Sequence, residues 1–584
     1  MGNYRNFTLT TYFVAAGVGK ASKEQLEQDI RFFEKHLRLD KVYIEPFRDG
    51  LLATDEQIEL VKSTFEAHGI RTSGGLTANI KDLPGQPHKQ RIFDTFCYTD
   101  EAMLGVLREA VARTAKHFDE IILDDFFFTN CTCDSCRAGK DAYNAANGIT
   151  DGSWEGFRLH LMQEVSIRDI IQVAKAVNPK IHTVIKYPNW MESYQETGYN
   201  PGEQSKVFDG VYTGTETRDP IHQDQHLPRY LSFSLMRYFE ALMPGKNGGG
   251  WFDPFDCLIL EHYLEQAYLT AFSKPQELMM FCFQALLDSM NIAALGHQLD
   301  KLDAMLDYTG NCLTLPCYIP HNAQGEDNVQ DYLGMSGIPL STTPIFPADA
   351  PALMLTRASA YDPDIVQKLE RYVVEGGRAI VTSGFVEATL DRGLKAMTSI
   401  RPQGRKVEVS DYFVERNNYT YTRAYPHAPK SILMPVFEFR NNATWANVKG
   451  VKGEESFAIL MCDTYGKGDM LTFVVPDAFS DIRNLPVEAM TRLRREMAVG
   501  GMYLDGAANI SLFVYDNDAV IVYPYASHDA QDEDILLHVK GDVQALVDPI
   551  QDKTIEPLYK KDGESVFQLR TKVGHFRLYQ VKRG

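Results

Sequence analysis

Two acids and three cysteines crowd one short stretch, EIILDDFFFTNCTCDSC, from Glu120 to Cys136. Ile121, Ile122 and Leu123 read as a buried strand that ends in Asp124 and Asp125. Hydrolysis of a glycosidic bond needs two carboxyl groups. One protonates the leaving oxygen, and the other attacks the anomeric carbon or activates water. Three more acids close apolar runs in the same way: Glu45 after VYI, Glu216 in VYTGTETRDP, and Asp253 after GGGWF. The reading favours one member of the Asp124/Asp125 pair together with Glu216, with Asp253 as the contender for Glu216's place. Adjacent strand residues point to opposite sides, so only one of Asp124 and Asp125 is expected to face a pocket.

Side chains that could hold a sugar lie beside these acids. Lys186 and Tyr187 end another apolar run and could bind hydroxyls or a carboxylate. Arg218 follows Glu216 by two residues, able to keep it ionised or to clamp a substrate carboxylate. Trp190 and Trp251 offer aromatic platforms, and Glu45 completes the substrate-binding set. The cysteines point to different chemistry. C-x-C-x-x-C can wrap a tetrahedral zinc only with a fourth thiolate. Cys97 can supply it, because successive loops on one face of a barrel are neighbours. Such a Cys97/Cys131/Cys133/Cys136 site is closed to water and therefore structural.

The elements needed to bring these groups together follow from the pattern. Between residues 7 and 310 apolar strands alternate with amphipathic helices eight times, which is the count of a (β/α)8 barrel. The expected strands are 7–14, 42–47, 71–77, 120–126, 182–187, 210–216, 249–253 and 277–284. Every acid named above then falls at the carboxyl end of a strand, the face where such barrels carry chemistry. Residues 311–403 read as a small flavodoxin-like α/β domain. Residues 404–584 read as short strands separated by Gly, Asn and Asp turns, a β-sandwich pattern. The clearest of these strands are 456–462, 471–475, 510–515, 519–525, 535–539 and 575–581.

The order Cys97, Tyr98-Thr99-Asp100, a helix, a strand ending in acids and then C-x-C-x-x-C resembles the glycoside hydrolase family 42 β-galactosidases. These are clan A barrels with a zinc-binding cysteine set beside the catalytic strand. DPDIVQKLERYVVEGGRAIVT, from Asp362 to Thr382, is similar to part of that family's flavodoxin-like trimerisation domain. The resemblance implies a barrel, a trimerisation domain and a small β-domain in that order. It also implies sugar chemistry, a structural zinc and a homo-oligomer, namely a trimer. The family ends its fourth strand in Asn-Glu and keeps a Glu nucleophile on its seventh. This chain has Asp124-Asp125 and Asp253 there, which implies a distant relative with a different substrate.

The formal net charge of −19 argues against a nucleic-acid or anionic-membrane partner. No apolar run approaches the roughly 20 residues that span a bilayer. The opening residues carry no signal-peptide pattern, so the expected location is cytoplasmic, or periplasmic if a leader has been removed. Cys257, Cys282, Cys312, Cys317 and Cys462 read as free thiols, and no organic cofactor motif is present. The leading expectation is a glycoside hydrolase, exo-acting on an oligosaccharide. The alternatives are a catalytically silent carbohydrate-binding barrel, or another barrel hydrolase or lyase. Against a metal-dependent hydrolase, His182, His222 and the other histidines show no H-x-H or H-E-x-x-H spacing.

Overall fold

A computed structural model describes residues 4–81, 91–417, 420–425, 430–527 and 530–584. The chain divides into two compact units, Met1–Leu227 with Phe239–Asp303, and Pro228–Tyr238 with Ala304–Gly584.

The first unit holds a closed barrel of eight parallel strands. They are β1 (Thr8–Phe13), β2 (Lys41–Ile44), β3 (Arg71–Leu76), β4 (Glu120–Leu123), β5 (His182–Tyr187), β6 (Gly210–Gly214), β7 (Asn247–Phe252) and β8 (Glu277–Met280). Each strand bonds to the next, and β8 returns to β1 through Thr8 opposite Glu277. Most strands end earlier than their apolar runs suggest, so Glu45, Asp124, Glu216 and Asp253 stand just beyond them. The barrel interior is filled by Tyr12, Tyr43, Ile122, Val184, Tyr212, Trp251 and Met279. Packed side chains there make a solid floor beneath the carboxyl face. The opposite end is closed by polar groups. Lys41 Nζ donates to Glu120 at 2.6 Å and Glu277 at 2.8 Å, and the Tyr43 hydroxyl donates to Glu277 at 2.9 Å. This plug ties β2, β4 and β8 together and leaves the chemistry to the other face.

The second unit begins with a parallel sheet. Leu315–Tyr318 pairs with Leu340–Thr343 on one side and Ala352–Leu355 on the other. Arg378–Thr382 and Gly468–Phe473 follow. The sheet then continues antiparallel through Glu455–Tyr465, Thr444–Lys452, Asp411–Asn417 and Thr420–Ala424. This corrects the sequence reading, which placed strands 456–462 and 471–475 in the C-terminal β-domain. Short strands broken by Gly453 and Gly466 look alike whichever sheet they join. Pairing partners, unlike period, are not written in local sequence.

The remaining strands form a β-sandwich. A six-stranded sheet contains Ile510–Tyr515, Ala519–Pro524 and Arg577–Arg583, and a four-stranded sheet contains Asp534–Lys540 and Glu564–Arg570. Leu512, Val514 and Val522 from one share a core with Leu537, Val539 and Phe567 from the other. Among the described residues no helix is long and apolar enough to cross a membrane.

Candidate active site

The acids at the carboxyl face of the barrel converge on one ammonium. Lys186, the inward residue next to the end of β5, reaches Asp125 Oδ2 at 2.6 Å, Glu216 Oε1 at 2.8 Å and Asp124 Oδ1 at 3.7 Å. Its Nζ lies 4.2 Å over the centre of the Trp251 ring, and its side chain is 2% exposed. A second cation extends the network. Arg48 donates through Nε to Glu45 at 2.9 Å and through Nη2 to Asp124 at 2.8 Å. Glu45 also accepts from the Tyr12 hydroxyl, the Ala15 amide and the Thr77 hydroxyl. Thr77 lies 3.1 Å from Asp124 as well. Thus Glu45 and Asp124 are fully engaged by the protein.

Two carboxylates differ from these. Asp125 is the most open of the acids grouped around Lys186, with 14% of its side chain exposed. Its Oδ2 is taken by Lys186, and its backbone carbonyl accepts from the Tyr199 hydroxyl. Glu216 gives Oε1 to Lys186, while its buried Oε2 has no hydrogen-bond partner among the described residues. Gly214 makes room for that oxygen, since a Cβ there would stand 2.6 Å from it. Both oxygens lie within 2.8 Å of one Nζ. Asp125 Oδ2 and Glu216 Oε1 are therefore no more than about 5.4 Å apart.

Five carboxylates (Glu45, Asp124, Asp125, Glu216 and Asp253) share three cations (Arg48, Lys186 and Arg218). Such an excess of negative charge favours retention of a proton. Burial, then the charges of Asp124 and Glu216, push the Asp125 carboxyl up to about 8 against the pull of Lys186. Asp124 goes the other way: burial opposes its charge, but Lys186 and Arg48 hold it below the ordinary carboxylate range. Burial likewise works against the charge of Lys186, and Asp125, Glu216 and Asp124 outweigh it, holding the ammonium above the usual lysine range. Asp253 is pushed up to about 6 by burial, with Arg218 acting against the rise.

Several sequence expectations need correction. Asp124 and Asp125 were expected on opposite sides of a strand, but β4 stops at Leu123 and both acids sit in the following turn, facing Lys186. The sequence reading has Arg218 either holding Glu216 ionised or clamping a substrate carboxylate. It instead grips Asp253 with two bonds, Nε at 3.0 Å and Nη2 at 2.7 Å, while the Phe255 amide donates to the same carboxylate. Tyr187 turns out of the barrel. It stacks on Phe239 at 4.7 Å and donates to Gln204, because β5 alternates and Lys186 takes the inward place. Trp251 is 2% exposed, stacked on Phe281 and close to Tyr12, so it is floor and not an open platform. Trp190 remains half-buried, edge-on to Phe128.

Other side chains at this face escaped the sequence reading. Arg48, Thr77, Tyr12 and Tyr199 all contact the acids. The Glu45-x-x-Arg48 spacing just past a strand was a usable signal, whereas nothing local marks Tyr199. Exposed Phe93 and Phe255, with the partly buried Phe126 and Phe281, form aromatic pairs near the rim.

The cysteines meet as the barrel reading required. The Sγ atoms of Cys97, Cys131, Cys133 and Cys136 all lie within 4.8 Å of one another. Cys97 is 3.7 Å from both Cys133 and Cys136. A tetrahedral zinc with bonds of about 2.3 Å spaces its sulfurs by roughly 3.8 Å, so the donor set and its spacing fit a metal ion. The cluster anchors the far end of the loop that begins with Asp124 and Asp125. Thr129 N to Thr197 O, at 2.9 Å, pins the middle.

The chain was compared with known proteins by sequence and by fold. Residues 1–310 match a family model described as "Probable glycosyl hydrolase, catalytic domain". Residues 501–581 match "Probable glycosyl hydrolase, C-terminal domain", and residues 310–477 match the second domain of "Uncharacterized protein SSO3021". That protein, from Saccharolobus solfataricus, is 26% identical over 425 residues, 67% of this chain and 69% of its own. Among solved structures, an α-L-fucosidase isoenzyme 2 from Paenibacillus thiaminolyticus is similar over 100% of both chains, with TM-score 0.66 and 12% identity. The GH42 β-galactosidase Gan42B from G. stearothermophilus, as a catalytic mutant, is similar over 99% of both, with TM-score 0.63 and 12% identity. A β-galactosidase from Bacillus circulans sp. alkalophilus covers 98% of both, with TM-score 0.62 and 12% identity. At such identities these likenesses show a shared fold.

Proposed function

The chain belongs to the family of probable glycosyl hydrolases, and on that premise we propose that it hydrolyses a glycosidic bond with Asp125 as general acid and Glu216 as the second carboxylate. The observation that carries the assignment is the pairing of these two acids on Lys186, with Glu216 Oε2 left without a hydrogen-bond partner among the described residues and Asp125 the most exposed acid of the group. Asp125, protonated up to about pH 8, can give its proton to the leaving oxygen. Glu216 can offer Oε2 to the anomeric carbon. Carboxyl groups about 5–5.5 Å apart suit a retaining double displacement, whereas inversion needs roughly 6.5–9.5 Å. The two oxygens that Lys186 holds are at most about 5.4 Å apart, on the retaining side of that divide, and from this we infer retention. In a retaining cycle Asp125, deprotonated by the first step, takes a proton from the water that releases the sugar from Glu216. Asp253 is the weaker contender for Glu216's role, because both its oxygens are held by Arg218.

The substrate we infer is an oligosaccharide cut from its end. The reacting acids are sunk at the barrel floor, 6–14% exposed, which suits a blind pocket better than an open groove. Aromatic residues at the rim could stack on sugar faces. The three cations are all engaged by carboxylates, which favours a neutral sugar over a uronate. The cysteine cluster would hold a structural zinc, leaving no position open for substrate or water. A homotrimer, as the resemblance to family 42 implies, would show by light scattering as three times 66.0 kDa.

The test is turnover of a panel of aryl α- and β-glycosides by the wild type, Asp125→Asn, Glu216→Ala and Asp253→Ala. Glu216→Ala should lose at least a thousandfold in kcat and regain part of it with azide, forming a glycosyl azide. Asp125→Asn should keep most of its kcat/KM only on dinitrophenyl glycosides, whose leaving groups need no proton, while its kcat falls because water then lacks its base in the second step. Azide rescue confined to Asp253→Ala would transfer the nucleophile's role to Asp253. A folded protein that binds sugars but turns over nothing on the panel would be a silent binding barrel.

A further inference from the structure

We propose that Lys186 is a positioning residue of the hydrolysis, tying Asp125 Oδ2 and Glu216 Oε1 together from beneath without touching the sugar. The inference rests on the assignment of Asp125 and Glu216 above.

The geometry separates Lys186 from a substrate ligand. Its ammonium has three donors. Two go to Asp125 and Glu216 at 2.6 and 2.8 Å, and the third faces Asp124 at 3.7 Å. Below it lies the Trp251 ring, itself backed by Tyr12 and Phe281. A side chain 2% exposed, with two donors bonded and the third turned toward Asp124, has little to give a hydroxyl group. What it does give is placement. Each bond fixes one oxygen of a carboxylate, so the other oxygen is turned to a defined place. Gly214 supplies the vacant Cβ position that Glu216 Oε2 needs. Asp124 completes the device from the β4 side. It accepts from the Asp125 amide at 2.8 Å and is held by Arg48 and Thr77. The charged groups that face Asp125 are therefore Lys186 from β5, Asp124 from its own turn and Glu216 from the segment after β6. Tyr199 reaches its carbonyl. Holding reacting groups within fractions of an ångström is worth orders of magnitude in rate, and a cation under both acids does so in the free protein.

The experiment compares wild type, Lys186→Met and Lys186→Arg, each shown folded by circular dichroism. Three readouts are taken: kcat and KM on a nitrophenyl glycoside, their pH dependence, and the carboxyl titration of Asp125 by infrared difference against Asp125→Asn. Lys186→Met is expected to lower kcat a hundredfold or more, keep KM within threefold, and move the alkaline limb and the Asp125 titration upward by at least one pH unit. A structural role alone would not move that limb. Lys186→Arg keeps the charge but not the reach. It should lower kcat with KM and the limb nearly unchanged, and it carries the test if the methionine variant does not fold. A tenfold rise in KM with kcat preserved would make Lys186 a substrate ligand and overturn the proposal. So would an unmoved Asp125 titration in Lys186→Met, a result readable even if the wild type hydrolysed no glycoside. Absence of wild-type turnover with a shifted titration would instead defeat the assignment of function and leave the positioning intact.

Discussion

Neutralising Asp124 should move the alkaline limb of activity to lower pH by about two units. Asp124 Oδ1 and Asp125 Oδ2 lie 3.7 and 2.6 Å from the same Nζ, so they are no more than about 6.3 Å apart. Two unit charges about 6 Å apart, at an effective dielectric near 20, repel by roughly 3 kcal/mol. At about 1.4 kcal/mol per pKa unit, that is close to two units. Asp125 must carry its proton to act as the acid, so kcat/KM falls above its pKa, near 8 in the wild type. With Asp124→Asn the negative neighbour is gone, the proton is held less tightly, and the limb should fall near pH 6. The assay is kcat/KM from pH 4 to 10 on a nitrophenyl glycoside, below the variant's melting temperature, with a dinitrophenyl glycoside as control. Stability gives an independent sign. A carboxyl whose folded pKa is raised contributes stability that is complete below its ordinary value near 3.8 and lost as pH rises through about 8. The fall in melting temperature between those limits should be shallower in Asp124→Asn. A limb that stays at 8, or moves upward, would refute the reasoning, because no reading of Asp124 as a nearby negative charge permits it.

Arg218→Met leaves the buried Asp253 carboxylate without its two bonds. Urea unfolding at pH 8 should show a loss of about 3–5 kcal/mol, as for other broken buried pairs. The loss should shrink at pH 5, where Asp253, pushed up to about 6 even with Arg218 present, takes a proton. Metal analysis should give one zinc per chain, and Cys133→Ser or prolonged chelation should remove it, lower the melting temperature and reduce kcat through the loop from Asp124 to Cys136. Zinc content unchanged by the serine variant would dissociate the metal from this cluster. Gly214→Ala puts a methyl group 2.6 Å from Glu216 Oε2. We expect more than a tenfold loss of kcat with little change in KM, and an unaltered kcat would mean that this oxygen is not the reacting one.

The barrel was legible because its signal repeats. Eight apolar runs separated by amphipathic helices define the count even where single boundaries slip. In the structure Thr54 and Gln57 form a capping box at the start of the helix Asp55–Ala67, and Asp100 caps the helix Glu101–His117 that follows Cys97. The cysteine site was legible for a related reason: adjacency of successive barrel loops turns four positions distant in sequence into neighbours. The second unit was harder. Read locally, 456–462 and 471–475, like 510–515 and 519–525 of the sandwich, are apolar runs. They join the middle sheet through long-range pairing of Arg378 with Asp469 and of Thr382 with Phe473. No window of local sequence contains that information.

The acids themselves could be found from sequence, but their roles could not, because role depends on which cation each one meets. Arg218 is two residues from Glu216, and proximity in sequence suggested a pair. It folds across to Asp253 on the next strand, and Glu216 goes to Lys186 on the preceding one. Exchanging those partners reverses the chemistry. Asp253 becomes a clamped carboxylate with both oxygens occupied, and Glu216 keeps one oxygen unbonded beside a glycine. The same logic separates Asp124 from Asp125. They are adjacent and chemically identical, yet one has Arg48, Thr77 and a backbone amide on its two oxygens, and the other has a single lysine. The first is therefore held ionised as a fixed charge, and the second is pushed toward its protonated form by burial and then by that charge beside it. A carboxylate pair of this kind need not place both acids on the sugar. One acid helps to set the proton affinity of the other, and on the proposed assignment an Asp in place of a Glu would act as the acid through that division.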